Sequence, residues 1–556
     1  MEFEAIRPGP ARLIRALIDE LQIVETINRN LRWDEVRWKI SPGELLAAVI
    51  IYMFCKRHAL YKVEKFFELQ DLELLFGRKD LKPEDFTDDS IGRALDRLAE
   101  SNFEEIFGYI VTMAQQAHEF ATNILHADTT SINVYGEYEH PVDPDFPIIT
   151  YGYSKDHRPD LKQFKYGLVV QKEGVPVFGR TMEGNASDTA WNQELLAKVA
   201  KELKEYAQSI FVADCKAVAP ENLAVIKRNN LRFISRLPDN YDLCGEIKER
   251  AWRENTWQDI GQVSGQKKAA SYKIQGFTAS LYETEYRLVV VNSSSLDKRK
   301  EGAIRRQIAK EKEKVIEANK EMNKQQFACL ADAQTAWRKF TKRTWKYHIV
   351  KSEVVSEEIP VKHAKAGRPA KQDVPATQKV FKVQCVSLEE NPAAIATAYD
   401  LARTFVLITN VFTLSGEQIL RHYKEQHMVE RRFEFLKDPY YVGPVFLKKE
   451  ERVKALSHIL LLTLLLYSLF ERRVRRNLKA ENVPFHVAGS YRTFTPTGKT
   501  VLEPLDEILL VFAVTPAGVQ RVLPKNTGGN ILRVIRLAGF SPEIYTNPVK
   551  PYPRDG

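Results

Sequence analysis

The sequence predicts a mixed α/β protein with helical regions at both ends. Three observations predict it. Across residues 1–120 apolar side chains recur every three or four positions, the helical period. From Asn123 the pattern becomes strand, hairpin, helix, strand, the order of a mixed sheet. Beyond about Asn410 the helical period returns. At 556 residues the chain exceeds one ordinary core, so several domains are expected.

Taken in order, PARLIRALIDELQIVETI, PGELLAAVIIYMFCKRHALYKVEKFFE and DDSIGRALDRLAESNFEEIFGYIVTMAQQAHEF read as helices. Thr87 is placed to cap the helix carrying Arg93 and Arg97. That helix fits the second helix of a helix-turn-helix and a plain amphipathic helix equally well. NILHADTTSINVYG reads as a strand, and the Pro-rich stretch after it as a loop. KYGLVVQKEGVPVFGRTMEGN reads as two strands joined at Glu173-Gly174. Helix WNQELLAKVAKELKEY, strand SIFVAD, helix ENLAVIKRNN and strand RFISRL follow. Residues 238–410 read as mainly β, interrupted by one long charged helix over Lys298–Phe340. Ser415–Lys437 reads as a single helix opened by a Ser415/Gln418 capping box. ERVKALSHILLLTLLLYSLFERRVRRNLK reads as another, and LDEILLVFAV and NILRVIRLAG as helices near the end.

Bulk properties narrow the function classes. The apolar fraction of 44% and charged fraction of 28% are those of a soluble globular protein. The net charge of +9 leans towards a polyanionic partner. The five cysteines are scattered and form no CxxC pair, which argues against a zinc site or disulfide framework and for a reducing compartment. MEFEAIRPGP has no basic start followed by an apolar stretch, so no secretory leader is expected. The run Ile459–Phe470 is too short to cross a bilayer and reads as a buried helix, so no membrane partner is expected.

Two aspartates interrupt apolar strands. Asp128 lies in ILHADTTS and Asp214 ends SIFVAD. A carboxylate emerging from a buried sheet is costly unless it is paired or binds a metal. For Asp214, capping of a strand-to-helix turn is the competing explanation. In the later helix, Tyr423, Glu430 and Lys437 recur every seven residues, with Gln426 and Phe433 on the same stripe. That stripe is too polar for a core face, although a solvated, salt-bridged helix carries similar ones. If Glu430 joins the two aspartates, an oxygen-only donor set results. It favours two Mg²⁺ or Mn²⁺ ions and phosphodiester hydrolysis or transesterification. His126 would face the same side as Asp128, supporting the site or packing.

HADTTS, VADCKAVAPENL and Y-x2-Q-x3-E-x6-K resemble the acidic triad and terminal signature of the DDE transposases of the IS4 superfamily, nearest the IS1634 group. GYSKDHRPDLKQFKYGL, EGNASD and the ITN before the last helix are similar too, and the resemblance runs over roughly residues 10–540. It implies an RNase H-like catalytic core over 121–237 and 411–480, interrupted by the insertion at 238–410. It further implies a helical DNA-binding region over 1–120 and a C-terminal region over 481–556 suited to dimerisation. Asp128, Asp214 and Glu430 would be the catalytic and metal-binding residues. Tyr423 and Lys437 would contact the transposon end, with Gln426 standing where the signature usually has Arg. Cys215-Lys216-Ala217 also departs from the commoner Arg-Gly turn.

The implied partners are double-stranded transposon-end and target DNA and a second copy of the chain in a synaptic homodimer. The implied setting is a bacterial or archaeal cytoplasm. Further candidate DNA contacts are Arg431, Arg432, Lys162 and Lys165. Arg368 within Lys365–Lys371 resembles the centre of a minor-groove hook, and a basic linker fits as well. Trp252 and Trp257 are placed to stack on a flipped base or to pack in a core. Two other functions are carried: a DNA-binding relative without catalysis, and a phosphohydrolase of small substrates. The basic helices and large insertion argue against the latter.

Overall fold

A computed structural model of the chain describes residues 2–55, 60–135, 138, 149–263, 269–361, 377–437, 449–487, 491–515 and 518–553. The chain divides into one unit of residues 1–235, 409–413 and 421–556, and a second of 236–408 and 414–420.

The first unit opens with strand β1 (Glu2–Ile6), where helix was expected. Helices α1 (Ala11–Glu20), α2 (Ile23–Asn30), α3 (Pro42–Cys55), α4 (Val63–Phe67), α5 (Leu72–Phe76), α6 (Asp88–Ala99) and α7 (Phe103–His118) follow. PARLIRALIDELQIVETI is therefore two helices, because Gln22 takes up the left-handed region at φ 50° and ends the first. Helix α3 is apolar all round, and Leu45 to Phe54 are buried. Thr87 caps α6 as expected, accepting from the Ser90 amide at 3.2 Å, with Asp88 and Asp89 in the favourable first turn.

The core of this unit comprises β2 (Ile124–Asn133), β3 (Gln163–Gln171), β4 (Pro176–Met182), α8 (Asp188–Lys201), β5 (Ile210–Val212), α9 (Pro220–Arg228) and β6 (Arg232–Arg236). The strands lie in the order β4-β3-β2-β5-β6. β2, β3 and β4 are antiparallel neighbours, and β5 and β6 extend the sheet in parallel from β2. This antiparallel meander with parallel additions is what an RNase H-like core requires. Gly174 makes the β3–β4 turn at φ +84°, its amide donating to the Gln171 carbonyl at 2.8 Å. In this register Gly167 and Gly179 lie on opposite faces. A Cβ on Gly167 would stand 2.5 Å from the Trp191 ring of α8, so the bare glycine lets α8 close on the sheet.

The second unit contains α10 (Asp242–Glu254), β7 (Gln258–Gln262), β8 (Ser271–Leu281), β9 (Thr284–Ser293), α11 (Lys298–Lys324), α12 (Leu330–Thr341), β10 (His348–Pro360), β11 (Thr377–Glu390) and α13 (Pro392–Arg403), and β12 (Thr404–Thr409) leads out of it. β7, β8 and β9 form an antiparallel run, and β10 pairs antiparallel with β11. The segment is mixed rather than mainly β. YDLCGEIKERAWRE is the helix α10, since Cys244, Ile247 and Ala251 bury one face at helical spacing. The long charged helix is two helices: Gln325 turns extended and the Cys329 sulfur caps α12 through the Asp332 amide at 3.4 Å. Trp252 donates to the Thr404 hydroxyl at 3.2 Å and lies 5.2 Å from the half-buried Trp257 ring, a packed pair. Arg368 and the segment Lys365–Lys371 lie outside the described residues.

The chain continues with α14 (Gly416–Lys424), α15 (His427–Lys437), α16 (Glu450–Glu481), β13 (Phe485–His486), β14 (Arg492–Thr493), α17 (Gly498–Leu502), β15 (Leu510–Thr515), β16 (Gly518–Val522) and α18 (Gly529–Leu537). Helix α16 is long and apolar enough to cross a membrane by length and composition, but its apolar stretch is buried inside the protein. It packs on the sheet face opposite α8, where Leu461 meets Gly179. LDEILLVFAV is not helical: β15 pairs antiparallel with β1 and with β16. Its Val and Phe residues suit the pleated surface offered by those partners.

Candidate active site

Asp128 sits in β2 opposite Leu168, and its Oδ1 accepts the Thr129 amide at 2.7 Å. Asp214 lies just past the parallel neighbour β5 and caps the turn Cys215–Val218. Its Oδ1 accepts the Lys216 amide at 3.1 Å and the Asn192 side-chain amide at 3.5 Å. Asp214 thus caps this turn through Oδ1, and no bond to its other carboxylate oxygen is seen among the described residues.

Helix α8 contributes two residues to this corner. Asp188, its first residue, accepts the Thr129 hydroxyl at 2.6 Å, and Asn192, one turn on, reaches Asp214. Two lysines complete the cluster. Lys165 of β3 lies 3.5 Å from Asp188 Oδ1. Lys155 Nζ stands 3.7 Å from Asp128 Oδ1 and 3.9 Å from Asp188 Oδ2, and donates to the Thr129 carbonyl at 2.6 Å. Neither Lys155 nor Asp188 was singled out as a site residue from sequence, and Lys165 was expected on DNA rather than here. The signals for Asp188 are its place at the end of the EGNASD block and its position directly after Ser187, a helix N-cap.

Burial pushes the Asp128 carboxyl up to about 6; Lys155 and the Thr129 amide pull it back, while Asp214 and Asp188 push it further. Burial also raises Asp214, with Asp188 adding to the effect. Burial acts on Asp188 too, but the Thr129 hydroxyl, Lys155 and Lys165 outweigh it and hold that carboxyl low. The two raised carboxyls express burial first and the neighbouring carboxylates second. Hard oxygen donors short of positive charge fit Mg²⁺ or Mn²⁺, and an ammonium already stands between two of them. Among the described residues no three His, Cys, Asp or Glu side chains close into a group able to hold a metal ion. His126 is fully buried with neither ring nitrogen hydrogen-bonded among the described residues, and burial lowers its pKa to about 4, so it is a neutral packed ring.

The loop before β3 delivers Lys155. Thr150 and Gln163 exchange both backbone hydrogen bonds at 3.1 and 2.9 Å. A Cβ on Gly152 would stand 2.3 Å from the Gly184 carbonyl, and the Gln163 amide donates to that carbonyl at 2.7 Å. The GYSKDHRPD and EGNASD blocks therefore meet at this corner. The Lys155 amide donates to the Ser131 hydroxyl at 3.1 Å, and Asp156 accepts from Lys437 at 2.7 Å.

Ser415–Lys437 is not one helix. The capping box forms, with bonds of 2.8 and 3.1 Å between Ser415 and Gln418. At Glu425-Gln426, however, the ladder changes to i→i+3 bonds: Gln426 to Tyr423 at 3.2 Å, Met428 to Glu425 at 2.9 Å and Val429 to Gln426 at 3.1 Å. The His427 ring sits 2.8 Å from the Lys424 carbonyl, and Glu425 is drawn aside by His422 at 3.3 Å and Lys172 at 3.6 Å. The stripe is thereby divided. Tyr423 ends α14, Gln426 lies in the junction, and Glu430, Phe433 and Lys437 lie on α15. Helix α15 packs on β2 and β3, with Glu430 exposed in its first turn.

Of the expected DNA contacts, Tyr423 and Gln426 are half-exposed, Arg431 is exposed, and Lys162 donates to the Tyr138 carbonyl at 3.3 Å. Arg432 is corrected. Its side chain is 5% exposed, donates to the Gly174 carbonyl at 2.8 Å and pairs with Glu471 at 2.9 Å. Val429, Phe433 and Leu436 mark the buried face of α15, and Arg432 lies within it, so its guanidinium holds the fold together rather than facing a phosphate.

The strand order is consistent with an RNase H-like fold. The family described as "Transposase DDE domain" matches residues 121–466, and a domain of unknown function (DUF4277) matches residues 11–112. No curated protein matches the chain. The first match covers more than half of the sequence, and the chain belongs to the DDE transposase family. It is a transposase, an enzyme that acts on DNA.

Proposed function

We propose that the chain is a cut-and-paste transposase of the IS4 superfamily, nearest its IS1634-like group, acting on terminal inverted repeats as a dimer. The observation that carries this reading is the placement of two half-buried aspartates, Asp128 in β2 and Asp214 just past its parallel neighbour β5, in a DDE-family core. Asp128 and Asp214 would hold the divalent ions, with Glu430 completing the donor set when DNA is bound; such ions would supply Lewis-acid polarisation of a phosphate and activation of water or a 3′-hydroxyl. Helix α8 and the sheet leave the aspartates half-buried. Lys165 keeps Asp188 charged and in place. Tyr423, Gln426, Arg431, Lys162 and Lys437 take DNA phosphates, and Arg432 fixes the roll of α15 so that Glu430 faces the site.

The test is Mn²⁺-dependent cleavage of an end-bearing duplex by wild type, Asp128→Asn, Asp214→Asn and Glu430→Gln. Cleavage by wild type alone supports the reading. A second reading, a DNA-binding relative without catalysis, is favoured by the exposed position of Glu430. Binding of the duplex without cutting by wild type would establish it.

A further inference from the structure

The Lys155 ammonium occupies an oxygen cage. Asp128 Oδ1 at 3.7 Å, Asp188 Oδ2 at 3.9 Å, the Thr129 carbonyl at 2.6 Å and the Thr129 hydroxyl at 3.3 Å surround it. These are the hard donors a divalent cation would take. Two cations cannot share that space, because a divalent ion a few ångströms from an ammonium in a partly dry corner is strongly repelled. The two lysines at the site differ in freedom. Lys165 comes from the middle of a strand with its side chain 7% exposed, whereas Lys155 comes from a loop with a third of its side chain exposed. Lys155 can leave, and Lys165 cannot.

The next residue holds the loop down. Asp156 Oδ1 accepts from Lys437 at 2.7 Å, and its Oδ2 lies 3.4 Å from the Asn133 amide. Both ends of the loop are fixed, by the Thr150–Gln163 pair and by the close approach of Gly152 to Gly184. The middle of the loop therefore cannot lift Lys155 out of the cage without breaking the Asp156–Lys437 contact. Lys437 ends the helix that carries Glu430, and a DNA phosphate would compete with Asp156 for it.

We infer that Lys155 is a built-in counter-cation that blocks the acid site of the DNA-free enzyme, and that the Asp156–Lys437 pair is the catch that keeps it there. Phosphate capture by Lys437 releases Asp156, the loop withdraws Lys155, and the carboxylates become available to metal. DNA and metal then bind with positive coupling, each strengthening the other. The inference rests on the proposed metal-dependent function.

The experiment is calorimetric titration of the full chain with Mn²⁺, without DNA, for wild type, Lys155→Met, Lys155→Arg, Asp156→Asn, Asp214→Asn and Lys155→Met/Asp214→Asn, each checked for wild-type circular dichroism. Lys155→Met should bind Mn²⁺ about tenfold or more tighter than wild type, a difference readily resolved. Asp156→Asn should bind with intermediate affinity, and Lys155→Arg, which keeps the charge, should stay near wild type. An end-bearing duplex should tighten Mn²⁺ binding by wild type by a larger factor than binding by Lys155→Met, because only the wild type has an ammonium to displace. Equal or weaker binding by Lys155→Met, with binding abolished in Asp214→Asn, would overturn the latch and leave the metal site standing. Equal binding by Lys155→Met and the double variant Lys155→Met/Asp214→Asn would overturn the metal site, and the latch with it.

Discussion

Arg432 and Glu471 face each other at 2.9 Å, each with 5% of its side chain exposed. Around this pair, Arg475 reaches the other Glu471 oxygen at 2.7 Å, the Gly498 amide donates to it at 3.2 Å, and Arg432 also donates to the Gly174 carbonyl. The helix carrying Glu430 is thus bolted to α16 and to the β3–β4 turn by charge as well as by packing. A pair this deep adds little net stability but is expensive to break on one side.

Glu471→Leu leaves two arginines facing each other without a counter-ion, and should cost about 3–5 kcal/mol in urea unfolding. Arg432→Met should cost less, because Arg475 still serves Glu471. The double variant Arg432→Met/Glu471→Leu should recover part of the Glu471→Leu loss. Recovery of nothing would mean that the two side chains do not act as a pair.

Arg431, the exposed neighbour, should behave oppositely. Arg431→Ala should leave stability within about 0.5 kcal/mol of wild type. It should weaken DNA binding evenly across sequences and reduce the salt slope by about 1. Fluorescence anisotropy over a salt series, with Arg432→Met as comparison, reads both quantities.

Gly167→Ala should drive the Trp191 ring off the sheet, since the added methyl would lie 2.5 Å from it. Overpacking of this kind costs about 1–3 kcal/mol. Trp191 lies in the first turn of α8 between Asp188 and Asn192, so both should move with it, and Mn²⁺ affinity should change together with stability. Tryptophan emission shifted to the red in the folded variant is the accompanying signal.

His118 gives a pH dependence remote from the acid site. Burial, and next Arg473 beside it, lower its pKa to about 4, and its Nε2 lies 3.1 Å from the Arg473 guanidinium. A base held below its unfolded value contributes stability that is complete above pH 6.5 and is lost as pH falls through 4. The loss amounts to about 3 kcal/mol over that window. Subtracting the pH–stability curve of His118→Gln, which keeps an acceptor for Arg473, should isolate that acid limb. A flat difference curve would contradict the assignment.

Much of the architecture was legible because the relevant signals are local. An Asp that breaks an apolar run marks β2 and the end of β5, Glu173-Gly174 marks the hairpin, and Thr87 marks the start of α6. What was misread depends on partners distant in sequence. LDEILLVFAV carries enough helical spacing to mislead, and only its pairing with β1 decides for strand. The division of α14 from α15 comes from His427 taking a backbone carbonyl and from Lys172 drawing on Glu425, neither visible in the spacing. Arg432 could have been placed correctly, since Val429, Phe433 and Leu436 define the buried side of its helix. Lys155 and Asp188 stand inside the blocks GYSKDHRPDLKQFKYGL and EGNASD, but their roles arise where a loop, a helix and two strands meet, which spacing does not show.

The pairing of β1 with β15 has a consequence for synthesis. Strand β1 finds its partner only after the roughly 500 residues between them have been made, and the acid-bearing unit is itself assembled from three separated stretches of chain. Folding of that unit therefore trails translation. A polypeptide released before residue 427 would lack α15 and Glu430 with it, and one released before residue 510 would leave β1 without its partner.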